Sequence, residues 1–289
     1  MYFRAAIQRD FPELEIRSFE RVIGGWASDT FEVNGNFIFR FPRMPCHKFD
    51  LRKEIKLLPT LSGHMPVKVP EFEFINNEVP YVGYRKIEGV PITRCDLSDE
   101  SLAKQMGRVL ALLHAFPIEK ALELGVLDID WRKDYSDFYA KVRRETFCLL
   151  GENVRGNVSA FFESFLGGDN FSFGPRFIHR DLSGDAHILC DTGANRVVGI
   201  IDWEDACIGD PAIDFTGILW DCGMDFTERV LGHYMEQGGR LDPAFRNRTR
   251  FYREIGSLHA ILYGQEIESQ EQIKRGVEAV TAEFSKCPS

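Results

Sequence analysis

Short aromatic and β-branched runs fill the chain before residue 88, and apolar stripes at helical spacing fill most of the remainder. Residues 2–10 read as a short helix that Pro12 ends. Residues 19–22, 30–33 and 37–41 read as strands, and Asn34-Gly35 turns the second into the third. Together they predict an antiparallel meander stopped by Pro42. Within residues 48–61, Leu51, Ile55, Leu58 and Leu61 recur three and four apart, which predicts a helix. Residues 67–74 and 81–87 read as two further strands bounded by Pro66, Pro70 and Pro80. Downstream, the spacing predicts helices over 99–116, 135–150, 158–166, 226–237, 243–263 and 268–284.

One stretch breaks this division. Residues 177–215 read FIHRDLSGDAHILCDTGANRVVGIIDWEDACIGDPAIDF. Two apolar runs, Phe177-Ile178 and Val197 to Ile201, each end at an acid, Asp181 and Asp202. A turn marked by Asp191, Gly193 and Asn195 lies between them. A hairpin of this kind brings Asp181, His187 and Asp202 near one another. Two carboxylates and an imidazole at strand ends suit a divalent cation and a proton acceptor. An acid after a buried strand also simply caps turns, so the joint pattern carries more than either half.

Composition changes the picture little. The chain has 289 residues, enough for one large domain or two lobes, and 44% are hydrophobic, enough for a sizeable core. A net charge of -9 argues mildly against a nucleic-acid partner and for a cationic one, although a merely solubilising surface looks the same. Seven cysteines, an odd number with no C-x-x-C pair, predict reduced thiols and neither a zinc site nor a disulfide framework. No run reaches export-signal or membrane-spanning length, so the expectation is a cytoplasmic protein without a membrane partner.

The 177–215 stretch resembles the catalytic core of the protein-kinase-like antibiotic phosphotransferases. Within that group His187-Ile188-Leu189 is most similar to the aminoglycoside 2''-phosphotransferases, and Ile201-Asp202-Trp203 also resembles the macrolide phosphotransferases. The resemblance runs from about residue 19 to about residue 280. It implies an α+β, protein-kinase-like two-lobe fold. Residues 1–88 would form a small antiparallel β-sheet lobe with one helix, and residues 89–289 a larger, mainly helical lobe. It implies transfer of the γ-phosphate of ATP or GTP, with Mg²⁺, to an antibiotic hydroxyl. The acceptor would be a polycationic aminoglycoside or, alternatively, a macrolide or another small alcohol, and the enzyme a monomer.

The same resemblance assigns roles. Asp181 orients the acceptor hydroxyl and takes its proton; Asp202 binds Mg²⁺ and His187 completes or supports that shell. The turn holding Gly24, Gly25 and Ser28 positions the nucleotide. Arg40, where relatives usually carry Lys, meets the phosphates and pairs with Glu54. The backbone of Tyr84, Arg85, Lys86 and Ile87 meets the purine. Asp221, Asp225, Glu266, Glu268, Glu271 and Tyr263 face the acceptor, where carboxylates suit ammonium groups. His179, Asp210 and Asp214 read as bracing, His114 as a buried hydrogen-bonded histidine, and Arg246, Arg248 and Arg250 as a solvated helix face. One departure stands out: His187 lies six residues after Asp181, one more than in the related pattern. A bulged loop would absorb it.

Overall fold

The structure, a computed structural model, describes residues 2–22, 28–43, 51–76, 78 and 80–285. The first part holds helix α1 (Tyr2–Asp10) and strands β1 (Phe19–Val22), β2 (Ser28–Val33) and β3 (Phe37–Pro42). Helix α2 (Leu51–Ser62) and strands β4 (Phe72–Asn76) and β5 (Tyr81–Arg85) complete it. The five strands form one antiparallel sheet in the order β1-β2-β3-β5-β4. Alternation decides its two faces. Phe31, Val33, Phe37, Phe39 and Phe41 point to one side, where α1 adds Ala6 and Ile7 to a separate small core. Each such buried aromatic or aliphatic side chain contributes about 1.5–3 kcal/mol. Arg40 points to the other side.

The second part begins at β6 (Val90–Pro91), followed by a 3-10 turn over Ile92–Arg94. Then come α3 (Glu100–His114), α4 (Ile118–Glu123), β7 (Leu127–Asp128), α5 (Trp131–Glu145) and α6 (Glu152–Gly167). Strands β8 (Arg176–Ile178), β9 (Ile188–Asp191), β10 (Arg196–Ile200) and β11 (Cys207–Gly209) carry the motif stretch. Helices α7 (Thr216–Glu236), α8 (Phe245–Glu254), α9 (Gly256–Glu266) and α10 (Gln270–Phe284) close the chain. Two three-stranded sheets, β10-β9-β6 and β7-β11-β8, hold the motif against the helices. The fold is the expected α+β two-lobe arrangement, with a small sheet lobe and a larger helical one. Helix α2 straddles them, because Leu57, Leu58 and Leu61 belong to the large core together with the helices of the second part.

Several elements differ from expectation. Residues 67–71 leave the sheet lobe. Lys68 instead bonds across to β10, its amide to the Val198 carbonyl (3.0 Å) and its carbonyl to the Ile200 amide (2.9 Å). Pro70 has no amide to continue a ladder there. The predicted helix 243–263 breaks into α8 and α9, and at the junction Gly256 admits the Trp220 ring, 3.3 Å from where a Cβ would stand. Helix α7 kinks at Gly223 (φ 82°), a conformation that glycine tolerates. Residues 44–50, with the start of the predicted 48–61 helix, lie outside the described residues, as do Gly24 and Gly25.

Two residue-level expectations are overturned. Cys95 and Cys190 are joined in a disulfide across 95 residues of sequence, against the expectation of reduced thiols throughout. The pairing Val90↔Cys190 between β6 and β9 brings the two sulfurs together, a long-range contact that local Cys spacing does not reveal. Arg248 is fully buried rather than solvated. It pairs with Asp210 at 2.6 Å and Asp242 at 2.7 Å, because it lies on the inner face of α8.

Candidate active site

Strand β8 delivers the chain into a strained turn. Arg180 has φ 73° and Asp202 φ 71°, a left-handed conformation that costs a non-glycine residue about 1–3 kcal/mol. Asp214 offsets this at the first site by accepting the His179 amide (2.9 Å) and the Arg180 amide (2.7 Å). Bonds to a charged acceptor contribute about 1.5–3 kcal/mol each. Asp214 is itself buried, with His114 Nε2 at 3.2 Å. His179 ties the two halves of the hairpin together, its Nε2 donating to the Ile201 carbonyl at 3.0 Å. Burial, then the nearby His187, holds the His179 pKa down to about 4, so the ring is neutral. The expected bracing residues sit where bracing is needed.

The enlarged loop resolves into a wide turn. The Ser183 carbonyl accepts both the His187 amide (3.0 Å) and the Ile188 amide (3.1 Å), so the extra residue bulges out and both ends stay in place. Asp221 clamps the bulge from α7, accepting from the Ser183 hydroxyl (2.9 Å) and the Asp185 amide (3.1 Å). Thr93 holds it from the other side, donating to Asp185 at 3.0 Å. Gly184 lies under Cys222, where a Cβ would stand 2.9 Å from the sulfur.

His187 then stands between the two acids. Its Nε2 is 3.9 Å from Asp181 Oδ2 and 3.7 Å from Asp202 Oδ2. Its Nδ1 bonds the Asp181 carbonyl, an acceptor only, so in the neutral ring Nε2 carries the lone pair. Asp181 is 63% exposed at its side chain and open to an incoming hydroxyl. Burial of its inner side, with Asp205, Asp202 and Asp214 nearby, pushes its pKa up to about 6 against the pull of His187. A carboxylate raised in this way is the better proton acceptor.

Arg40 is the electrostatic centre of the site. It is 5% exposed and meets Glu54 on α2 (2.9 Å), Asp202 (3.1 Å) and Glu204 (2.8 Å). Burial opposes the charge on Glu54 and Arg40 restores it; the contact is that of an ion pair. Burial, then Asp202, pushes Glu204 up to about 8. Lys53, beside Glu54, bonds the carbonyls of Glu204 and, at 2.9 Å, Ala206. Lys53 and Glu204 are the residues that sequence reasoning missed. Glu204 shares the side of Asp202 two positions on, which was a signal; Lys53 looked like any surface lysine.

The described nucleotide-side candidates lie on β2, on β5 and just after β5. Ser28 is buried, with its hydroxyl 3.2 Å from that of Thr30. Tyr84 lies in β5 between β3 and β4, and the Lys86 amide bonds the Asn36 carbonyl at 2.9 Å. The side chains of Arg85 and Lys86 turn to Glu73 (2.8 Å) and Glu32 (2.7 Å). Ile87 is buried against Gly199 of β10.

The acceptor-side candidates divide into two groups. Asp221 clamps the loop, and Asp225 is exposed near Trp220 and Met224, themselves 53% and 59% exposed. Tyr263 and Glu266 lie on α9, Glu268 follows it, and Glu271 pairs with Arg275 on α10 at 2.5 Å. Gln265 bonds the Glu145 carbonyl (3.0 Å), which sets this end of α9 beside the last turn of α5. The first turn of α5 instead meets the catalytic loop, through Asp134 and Arg180 at 2.7 Å. Along α5, Asp134 and Glu145 lie about 16 Å apart.

The donor set bears on the metal. Among the described residues, no three of His, Cys, Asp and Glu close into an ion cage. The lone pair of His187 and the outer oxygen of Asp202 face one space, however, and Mg²⁺ usually takes one or two protein carboxylates with phosphates and waters completing its shell. The residues present fit that mode.

Residues 18–252 match the phosphotransferase enzyme family, APH. The GDP and kanamycin complex of APH(2'')-IIIa superimposes with a TM-score of 0.89 at 29% identity, over 98% of both chains. A macrolide 2'-phosphotransferase type I shares the fold, with a TM-score of 0.79 at 22% identity over 99% of this chain and 97% of that one. Viomycin phosphotransferase of Streptomyces vinaceus is 26% identical over 207 residues, 70% of this chain and 69% of its own length.

Proposed function

The chain belongs to the phosphotransferase enzyme family and is a small-molecule phosphotransferase, and on that premise we propose that it phosphorylates a hydroxyl of an aminoglycoside, with the 2''-type reaction as the specific reading. The donor is ATP or GTP. Asp181 takes the proton of the acceptor hydroxyl as its oxygen bonds to the γ-phosphorus, and the bond from that phosphorus to the bridging oxygen breaks, releasing the nucleoside diphosphate. Asp202 and His187 would hold Mg²⁺, which supplies charge neutralisation at the phosphates. Arg40, fixed by Glu54, faces the phosphates; Gly24, Gly25 and Ser28 are assigned to nucleotide positioning; the linker from Tyr84 through Arg85 and Lys86 to Ile87 borders the base. Residues 1–88 and 89–289 are the two lobes around this cleft.

The single observation that carries this reading is the cluster of Asp181, His187 and Asp202 within 3.9 Å contacts beside the buried Arg40. Acidity supports the polycationic acceptor: Asp221 and Asp225 border the loop, with Glu266, Glu268, Glu271 and Tyr263 as a more distant rim. The exposed Trp220 and Met224 beside Asp221 favour a second reading, a macrolide, whose large apolar surface needs such walls. Release of nucleoside diphosphate with Mg²⁺ and ATP or GTP separates the two. Stimulation by kanamycin or gentamicin is the expected result. Stimulation by erythromycin alone would replace the acceptor, and none by any of the three would overturn the antibiotic reading.

A further inference from the structure

Away from the catalytic cleft, the ends of α3 and α7 enclose a cleft of 310 Å³. Its walls carry Arg176, at the start of β8, and Arg240, just after α7. Neither guanidinium has an ion-pair partner among the described residues, and against their two charges the lining sets one carboxylate, Glu119. Phe116, Pro117 and Ile118 supply an apolar side. Helix C-termini ordinarily repel anions. Here the last carbonyls of α7 are already taken: those of His233, Tyr234 and Met235 accept the amides of Gln237, Gly239 and Gly238. Gly238 (φ 92°) makes this reversal possible, and Gly239 is pressed against the Tyr234 ring, with no room for a Cβ.

The floor of the cleft is connected to the catalytic loop. The Tyr234 hydroxyl lies 3.0 Å from His114 Nδ1, with the charge of Arg176 acting on it. On the far side of the ring, His114 Nε2 meets Asp214 at 3.2 Å. Asp214 accepts two backbone amides on its carboxylate oxygens, so Nε2 donates to it, and Nδ1 accepts from the tyrosine hydroxyl. Asp214 in turn holds the amides of His179 and Arg180, immediately before Asp181. All three links, His114, Tyr234 and Asp214, are buried.

We propose that this cleft binds a small organic anion, a carboxylate or phosphate with an apolar body, and that its occupancy is felt at the catalytic loop through Tyr234, His114 and Asp214. The two guanidiniums take the anionic head, and the Phe116–Ile118 side takes the body. An anion over Tyr234 draws the hydroxyl proton toward itself. His114 Nδ1 then loses its donor, and the bond from Nε2 to Asp214 changes with it. No part of this depends on which acceptor the enzyme phosphorylates.

The test titrates the intact protein with benzoate, phenyl phosphate and, as a charge control, benzylammonium, following heat or ligand resonances. Fragments of this size bind in roughly the millimolar range. Benzoate and phenyl phosphate should bind at least about tenfold tighter than benzylammonium, since charge-assisted hydrogen bonds to the guanidiniums are open only to the anions. The exposed Arg240→Glu variant should lose at least that factor, and Arg176→Ala with Arg240→Ala should do the same. Absence of benzoate binding at about 10 mM, equal binding of the cation, or unaltered binding by Arg240→Glu would overturn the site. Hydrogen exchange reads the link. Benzoate should alter exchange at the His179 and Arg180 amides in the wild type but not in Tyr234→Phe. An unaltered wild type, or an equal effect in the variant, would overturn the coupling.

Discussion

At Arg40 a single guanidinium serves three carboxylates at once, on α2 and on both sides of Trp203. A lysine ammonium is a point charge and does not present five donors in a fork, which is why Arg is not a conservative replacement in this position. Removing it leaves Glu54 buried without its counter-ion. We expect Arg40→Met to lower stability by about 3 kcal/mol or more in chemical denaturation and to abolish measurable turnover. His179 carries a pH prediction. Its folded pKa of about 4 lies below the ordinary histidine value, so its contribution is present above pH 6.5 and is lost as pH falls through 4. Comparing wild type with His179→Asn at pH 7 and pH 4.5 should show the variant losing less stability on acidification, by roughly 2–3 kcal/mol. At this scale the sequence was most legible where an apolar run ends in an acid, as at Asp181 and Asp202. It was least legible at Lys53 and Arg248, whose charge looks the same in sequence whether it meets solvent or a buried carbonyl or carboxylate.

Among the elements, α7 decides how the catalytic loop sits. Gly217 in its first turn lies against the loop backbone so closely that a Cβ would stand 2.0 Å from the Leu182 carbonyl oxygen. Gly217→Ala should therefore displace the loop, with a stability loss of roughly 1–3 kcal/mol by thermal melting and a larger fractional loss of turnover. The wide turn from Ser183 to Ile188 shows the opposite tolerance: a loop accepts an extra residue when its ends are held, here by Asp221 and Thr93. Helix α3 was legible within two residues, because a capping Asp99 and a clean stripe mark it, whereas α5 and α6 begin four and six residues before their predicted starts. Strands β6, β7 and β11, two or three residues long, are too short to show any period. They form because tertiary pairing supplies the hydrogen bonds that local sequence does not request.

Over the whole molecule, the two parts meet through α2, whose Leu57, Leu58 and Leu61 join the large core, and through charged and backbone contacts. Lys53 is the clearest of these, reaching from α2 to the carbonyls of Glu204 and Ala206 just beyond Asp202. It ties α2, with Glu54, to the segment that follows Asp202. Lys53→Met should reduce kcat/KM for the nucleotide about tenfold, with partial recovery in Lys53→Arg, because two bonds from a charged donor are lost. The small core of α1 and the first sheet, and the membership of α2 in the large core, followed from hydrophobic periodicity only in part. The bond between Cys95 and Cys190, like the crossing of Lys68 to β10, depends on how distant segments pack, which no local pattern records. The central claim, that Asp181 accepts the proton in a phosphoryl transfer, is tested most directly by Asp181→Asn. Nucleotide affinity and nucleoside diphosphate release should be measured side by side with an accepted alcohol. The account predicts turnover lower by roughly 10²–10⁴ with affinity within about threefold of the wild type. Turnover equal to that of the wild type would contradict it.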